Sequence, residues 1–348
     1  MIAITLPDGS VKQLEEGVTP MDVALSISEG LARNVISAAY NGQTIESSTP
    51  LTHDGSLVLY TWRDEAGKKA FWHSSAHILA QALQESYPGI KLTIGPAIET
   101  GFYYDVDFGE LSFSEKDLAD VEDKMLEIAR GKHTFSLRST TKKEALDFYK
   151  NQANEYKVEL IENLEDGTIT FCDHDNFTDL CRGGHLPHTG YVKAVKLMSI
   201  AGAYWRGDEK NKQLTRIYGV SYPKQKELKQ YLALLEEAKK RDHRKLGKDL
   251  KLFHIDEEVG QGLILWTPRG AVIRQELQDF ISFHLRRQGY SQVFTPHVGK
   301  LDLYRTSGHF PYYQDSQYPP LVERDLMKKL ADEGCTCGEL SNLMKLIL

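Results

Sequence analysis

Two pairs of residues in the sequence have types and spacing that can support chemistry. His73 and His77 are four positions apart, so a helix would place both imidazoles on one face, about one turn apart. Cys181 and His185 form the second pair, in a segment whose adjacent glycines allow a ligand or another stretch of backbone to approach closely. Because imidazole and thiolate groups bind metals, move protons and act as nucleophiles, these four residues make up one candidate site.

The residues alone leave four interpretations of this site open. A zinc site is the first, because imidazole nitrogen and thiolate sulfur suit tetrahedral zinc. The second is a metal-free hydrolytic site in which neutral histidines orient and deprotonate a water while Cys181 and Asp179 shape the pocket. A structural cluster with satisfied hydrogen bonds is the third. The fourth is a cysteine protease with Cys181 as nucleophile and a histidine as base, for which the sequence assigns no third, orienting residue.

Local patterns predict the elements that position these residues. The opening stretch predicts two strands, at 2–5 and 10–14, joined by an Asp-Gly turn. A helix should follow from Thr19 as N-cap, with proline at its first position. Further strands at 35–40 and 56–61 complete a small β-grasp unit.

Beyond this unit, longer helices alternate with strands. Apolar residues around the two histidines support a helix there, and an amphipathic helix is predicted at 114–130. The charged segment 224–246 is predicted to be one connecting helix. A second long helix at 270–288 should end at Gly289 and lead into an apolar strand that runs to Pro296. The expected fold class is α+β, with several domains.

Length and composition agree with a multidomain soluble protein. The 348 residues exceed what one hydrophobic core usually serves, and 41% hydrophobic with 26% charged residues is typical of globular proteins. We find neither a secretory signal pattern nor an apolar stretch near the roughly 18 residues of a membrane span. The prediction is a cytoplasmic protein.

Net charge limits the possible binding partners, and cysteine content limits the possible disulfide bonds and zinc sites. A net charge of −7 argues against coating nucleic acid through bulk charge. A basic cluster at 239–251 is interpreted as a solvated helical face, with a local RNA contact as the alternative. Four cysteines are too few for a disulfide framework, so Cys172 and Cys181 are expected to be reduced thiols. Cys335 and Cys337 lack the spacing of a zinc knuckle and are interpreted as free.

Taken together, these motifs resemble bacterial threonyl-tRNA synthetases along nearly the whole chain. The likeness is carried by the segments 73–77, 93–105, 156–158, 181–187, 201–208 and 241–247. A lone HxxxH pattern has little specificity. The pair HxxxH and CxxxH, about a hundred residues apart and followed by AGAYWRGD, is highly specific to the family's editing domain.

The resemblance implies roles for named residues. The set that binds the terminal ribose and ester and positions the hydrolytic water would be His73, His77, Lys157, Cys181 and His185. Tyr104 and Asp179 would be pocket walls and orienters, and Arg182 would bind substrate. Lys157 would balance developing oxyanion charge. No metal ligand is expected among these residues, because the family's editing site is described as working without zinc.

There is a physical reason for the function that the resemblance implies. Serine lacks one methyl group of threonine, and a synthetic pocket gains only about 1–3 kcal/mol from such a difference. A second site that hydrolyses serine from tRNA(Thr) is then needed. The complete protein would be a threonine–tRNA ligase that charges tRNA(Thr) using ATP, magnesium and one zinc, with those binding residues beyond this chain. Alternatives are a stand-alone trans-editing hydrolase and a non-enzymatic RNA-binding module.

The resemblance also implies a domain division. It comprises a TGS-like β-grasp domain at 1–62, an editing domain at 63–224, a linker helix at 225–246 and a truncated class II catalytic domain at 247–348. Motif 1, at 270–296, would form a homodimer. Motifs 2 and 3 of the catalytic domain would be missing from this chain. No DNA or membrane partner is expected. Residues 306–309, Tyr313 and Asp315 continue the likeness. Residues 319–348 depart from the pattern, as an insertion or altered reading frame, and their apolar end predicts aggregation.

Overall fold

The computed structural model describes residues 1–260, 262–313 and 328. The chain divides into two units, Met1–Asp242 and His243–Leu348. Helices and strands mix in the first unit, and the predicted α+β fold class is confirmed. The expectations for Asp315, for Cys335 and Cys337, and for 319–348 apart from residue 328 lie outside the described residues.

The first unit begins with a five-stranded sheet in the order β2-β1-β5-β3-β4. Strand β1 pairs antiparallel with β2 and parallel with β5. As predicted, Thr19 caps α1: its hydroxyl accepts from the backbone N–H of Asp22, whose carboxylate accepts from the Thr19 N–H. The elements are β1 (Ile2–Thr5), β2 (Val11–Leu14), α1 (Pro20–Ile27), α2 (Glu29–Ala32), β3 (Val35–Tyr40), β4 (Gln43–Ile45) and β5 (Gly55–Thr61).

A long buried helix, α3 (Glu65–Ser86), organises the rest of this unit. Its residues share one hydrophobic core with Ile36 of β3 and with the strands and helix that follow. Those following elements are β6 (Lys91–Leu92), β7 (Ala97–Ile98), β8 (Gly101–Asp107), α4 (Leu118–Arg130), β9 (Ser136–Ser139), α5 (Lys142–Asn151), α6 (Glu155–Glu162), β10 (Thr170–His174), β11 (Phe177–Leu180), β12 (Ala194–Tyr204) and β13 (Gln213–Tyr222).

Two antiparallel sheets hold these strands in register. One has the order β12-β13-β8-β6, with β7 also paired to β8, and the other has the order β11-β10-β9. Helix α4 forms as predicted after a short 3₁₀ turn at Glu115–Asp117, and it buries Leu118, Val121, Met125 and Ile128. The three-stranded sheet ends beside α3, which sets up the contacts of the candidate site.

The predicted single helix at 224–246 is wrong in one respect. Two helices form instead, α7 (Gln225–Lys240) and α8 (His243–Asp249), and the boundary between the two units falls at their break. The break includes Asp242, a residue type that favours helix starts over helix interiors because its side chain competes for backbone hydrogen bonds. Within the first unit, Leu228 of α7 packs with Ala194 and Val220.

The second unit contains β14 (Phe253–Ile255), β15 (Ile264–Trp266), α9 (Pro268–Arg287) and α10 (Leu301–Thr306) among its described residues. Helix α9 confirms the predicted long helix, with Thr267 as N-cap and a positive φ at Gly289 after its end. The strand expected before Pro296 is wrong, since 290–300 forms no strand. A strand needs a neighbour for pairing, and β14 and β15 pair with each other. No helix in the described ranges is long and apolar enough to cross a bilayer.

Candidate active site

Helix α3 places the two histidines of the HxxxH pattern as expected. The ring centroids of His73 and His77 are 4.7 Å apart. His73 is half-buried and lines an open cleft, whereas His77 is 3% exposed. The neighbouring helical residues are buried, and the hydroxyls of Ser74 and Ser75 donate to backbone carbonyls of the same helix, so the helix presents these imidazoles from a rigid base.

The second pair lies just after β11. Cys181 follows the last residue of the strand, and the chain then turns through Gly183 and Gly184, whose φ values of 97° and 87° favour glycine. This turn carries His185 behind Cys181, where it is fully buried. A short loop on a strand end therefore brings the second pair against α3.

Cys181 is the meeting point of the two pairs. Its Sγ lies 2.9 Å from Nε2 of His73 and 3.1 Å from Nε2 of His185. Burial acts to raise the pKa of Cys181, but the charge of His77 and the hydrogen bonds from His185 and His73 outweigh it. The pKa of the thiol is thus held well below its usual value, which favours the thiolate form of Cys181.

The three histidines differ in protonation. Burial lowers the pKa of His73, which leaves its ring neutral. At His185, burial is outweighed by hydrogen bonds involving Cys172, Cys181 and Glu46, so the pKa is raised well above the ordinary value. The pKa of His77 is also raised, because the Cys181 thiolate and Asp179 outweigh burial. The site therefore contains one half-buried ring, His73, whose lowered pKa favours the neutral form, and two buried rings, His77 and His185, whose raised pKa values favour the protonated form.

Asp179 contacts several other polar side chains of the site. Its Oδ1 accepts from the Lys157 ammonium at 2.5 Å and from the Leu180 backbone N–H at 2.8 Å, and its Oδ2 accepts from the Tyr104 hydroxyl at 2.7 Å. His77 Nδ1 lies 3.2 Å from Oδ2, although neither nitrogen of His77 has a partner in hydrogen-bond geometry. The electrostatic attraction between the His77 ring and the Asp179 carboxylate at this distance does not require hydrogen-bond geometry. Despite burial, the Lys157 and His77 charges hold the pKa of Asp179 far below its usual range.

The cleft has a volume of about 640 Å³. The predicted residues that line it are His73, His77, Lys157, Asp179, Cys181 and Arg182. Arg182 is exposed at the rim. Tyr104 and His185 are not lining residues; both are buried behind the wall and act on the cleft through Asp179 and Cys181.

Sequence reasoning missed two residues that contact this cluster. Tyr149 donates its hydroxyl to Asp179 at 3.3 Å and accepts from the Leu180 N–H at 2.8 Å. Glu46, from the N-terminal sheet, accepts from His185 Nδ1 at 2.9 Å. No local signal marks Glu46, because it follows a short strand 139 positions before its partner.

The four donors of the two pairs also have the arrangement of a metal site. The potential ligand atoms of His73, His77, Cys181 and His185 all lie within 4.8 Å of one another. Three imidazoles and one thiolate suit zinc, and the unpartnered nitrogens of His77 fit such a role. An ion held there would supply Lewis-acid activation of a water or carbonyl oxygen.

Comparison with known families defines the class of the chain. Residues 2–61 match the TGS domain model, and residues 169–218 match the model described as the threonyl and alanyl tRNA synthetase second additional domain. The second match includes Asp179, Cys181, Arg182 and His185. These matches define a chain of the aminoacyl-tRNA synthetase class that contains an editing-type domain.

Whole-chain similarity then specifies the family. The chain is 65% identical over 321 residues to a threonine–tRNA ligase of Flavobacterium psychrophilum, covering 92% of this chain and 49% of the relative. It is 48% identical over 349 residues to that of Azobacteroides pseudotrichonymphae, covering 100% of this chain and 54% of the relative. The chain belongs to the threonyl-tRNA synthetase family, as predicted, and spans about half the length of the curated relatives it matches.

Proposed function

We propose that the cleft hydrolyses the ester bond between serine and the 3′ end of tRNA(Thr), as the proofreading site of a threonine–tRNA ligase. The observation that carries this proposal is the Cys181 sulfur, which lies within 3.1 Å of the Nε2 atoms of two imidazoles beside a cleft. The loop that bears it falls inside the segment matching the synthetase second additional domain. This placement favours ester hydrolysis on an aminoacyl-tRNA over proteolysis.

His73 is proposed as the general base. It lines the cleft, and among the three clustered histidines it alone is half-buried and has a lowered pKa. A neutral ring can take a proton from water as the water oxygen attacks the ester carbonyl, and the proton then passes to the departing ribose oxygen. Hydrolysis balances with serine and the free tRNA end as products.

Lys157 and Asp179 are proposed to stabilise charge. Lys157 is buried and its ammonium is fixed on Asp179, so it can face a developing oxyanion without reorganising. Tyr104 and His77 hold Asp179 from the other side. Arg182, exposed at the rim, is proposed to contact the negatively charged tRNA end.

The wider assignment is part of the same proposal. The four predicted domains, at 1–62, 63–224, 225–246 and 247–348, would belong to a cytoplasmic synthetase. Its substrates would be tRNA(Thr), threonine and ATP, and its cofactors magnesium and one zinc. A homodimer through α9 is proposed for the complete protein. Editing by this chain would need neither ATP nor a metal ion.

Release of amino acid without ATP tests the proposal. The purified chain is incubated with tRNA(Thr) charged with serine or, separately, with threonine. We expect fast serine release, slow threonine release and losses of about 10²- to 10⁴-fold in His73→Ala. Cys181→Ala should be similarly impaired. His133→Ala, which replaces a histidine outside the cleft lining, is the matched control and should match the unaltered chain.

Two further outcomes of this experiment distinguish metal-free hydrolysis from zinc-dependent hydrolysis and from no hydrolysis. Activity that disappears with a chelator and returns with zinc would replace the metal-free assignment by the metal site. Absence of serine release from folded protein, with or without zinc, would refute hydrolysis by this chain.

A further inference from the structure

Glu46 extends from the N-terminal sheet into the candidate site. It follows directly after β4, and its side chain is only 9% exposed. A buried carboxylate is costly unless hydrogen bonds compensate for lost water. Glu46 has three such bonds, and all three come from the loop behind Cys181.

Two of the three hydrogen bonds come from backbone N–H groups, and the third comes from the His185 ring. Oε1 of Glu46 accepts from the Gly184 N–H at 3.0 Å and Oε2 accepts from the His185 N–H at 3.0 Å. Oε1 also lies 2.9 Å from His185 Nδ1. Because both oxygens of Glu46 accept from backbone N–H groups, this geometry favours the ionised carboxylate.

An ionised carboxylate can only accept, so Nδ1 of His185 must carry a proton. The other ring nitrogen, Nε2, then points at Cys181 Sγ, 3.1 Å away. Cys172 also contacts Nδ1, but at the longer distance of 3.6 Å between Sγ and nitrogen. Glu46 is thus the charged partner of Nδ1.

We propose that Glu46 is a positioning residue of the cleft, whose carboxylate fixes the orientation of the His185 ring against Cys181. Carboxylate, imidazole and sulfur thus form one line of contacts, and the N-terminal sheet supplies the carboxylate. The catalytic consequence of this arrangement rests on the proposed hydrolysis, whereas the effect on the His185 ring does not.

Glu46→Gln tests the inference with little change in size. A side-chain amide has one accepting and one donating end, so it cannot satisfy the three N–H groups that Glu46 accepts from. Ile36→Val is the matched control. Ile36 lies on the same sheet and is buried in the core shared with α3, but its methyl group plays no part in the Glu46 bonds.

Two readouts separate positioning from mere structural support. The first is the ¹⁵N spectrum of the histidine rings, assigned to His185 by comparison with His185→Asn. We expect a shift of the His185 nitrogens in Glu46→Gln and none in Ile36→Val. The second is steady-state serine release, where kcat should fall roughly 10- to 100-fold in Glu46→Gln with KM unchanged.

The outcomes are distinct. Unchanged His185 nitrogen signals in folded Glu46→Gln would overturn the inference, and so would a twofold or smaller loss of kcat in an active chain. Equal losses in Glu46→Gln and Ile36→Val would also overturn it, because both would then report sheet packing. If the unaltered chain releases no serine, the proposed function fails, and the nitrogen spectrum alone decides the role of Glu46.

Discussion

At the scale of single residues, Asp179 concentrates the buried charge of the cleft. Replacing it by asparagine leaves the Lys157 ammonium, 3% exposed, without its anion. We expect Asp179→Asn to lower the free energy of unfolding by about 3–5 kcal/mol in urea titrations followed by circular dichroism. Asp173→Asn, which breaks a more exposed ion pair with Arg138, should cost about 1 kcal/mol or less. Equal costs would contradict this account.

The two cysteines of the site provide an internal comparison of reactivity. Cys181 has a depressed pKa and lines the cleft, whereas burial raises the pKa of Cys172 to about 11. At pH 7 we expect iodoacetamide to modify Cys181 at least about tenfold faster than Cys172, because the thiolate is the reactive form. The Cys181 rate should stay flat from pH 7 to 9. Peptide mapping by mass spectrometry measures both; a rate that climbs tenfold per pH unit would show a neutral thiol.

His174 predicts a loss of stability in acid. Burial between Phe135 and Phe177 lowers its pKa to about 3. Since the unfolded chain has the ordinary higher value, it binds a proton that the folded chain does not, and stability falls as pH drops below that value.

The size of this effect can be measured by substitution. Between pH 7.5 and 5.0 the free energy of unfolding should fall by about 2 kcal/mol more in the unaltered chain than in His174→Leu. His53→Leu, at an exposed position, should keep the full pH dependence. Parallel pH curves for His174→Leu and the unaltered chain would show that His174 is not the responsible group.

At the scale of elements, the first turn of α3 approaches the end of β5 very closely. A Cβ at Gly67 would lie 2.0 Å from the carbonyl oxygen of Thr61, so any side chain there must displace the helix that carries His73. We expect Gly67→Ala to destabilise the fold by about 1–3 kcal/mol and to reduce serine release. Gly30→Ala, where an added Cβ would meet only Ser28 Oγ at 3.9 Å, should be neutral or slightly stabilising. Thermal unfolding of both variants gives the comparison.

Local elements were more predictable than long-range pairings. The hairpin, the Thr19 cap, α3, α4 and α9 follow from patterns within a few residues of sequence. The break at Asp242 and the missing strand before Pro296 depend on competition for hydrogen bonds that a local pattern does not contain. The contact of Glu46 with the site also depends on a long-range pairing that no local pattern contains. The segment 181–185, in contrast, was identifiable from its residue types and spacing. The sequence therefore predicted the members of the cluster but not the carboxylate that packs behind it.

At the scale of the whole molecule, α9 exposes a large apolar surface within the second unit. Seven of its side chains are each between 42% and 62% exposed: Val272, Ile273, Leu277, Phe280, Ile281, Phe283 and Leu285. Contiguous apolar surface of this kind usually marks an association site.

We expect the chain to self-associate through this helix. Sedimentation velocity across a concentration series should show reversible association, weakened about tenfold or more by Leu277→Glu. Gln275→Glu adds the same charge at a polar position of α9 and should have little effect. A concentration-independent monomer would remove the support for pairing through α9.

The bond between Glu46 and His185 also has a consequence for synthesis of the chain. Its two ends are 139 positions apart, so at 5–20 residues per second the ribosome needs roughly 7 to 28 s to make the second after the first. During that interval the N-terminal sheet can fold, but Glu46 remains hydrated and unpaired. The nascent protein therefore has no assembled thiolate site until the loop behind β11 emerges, and that loop meets a carboxylate already in place.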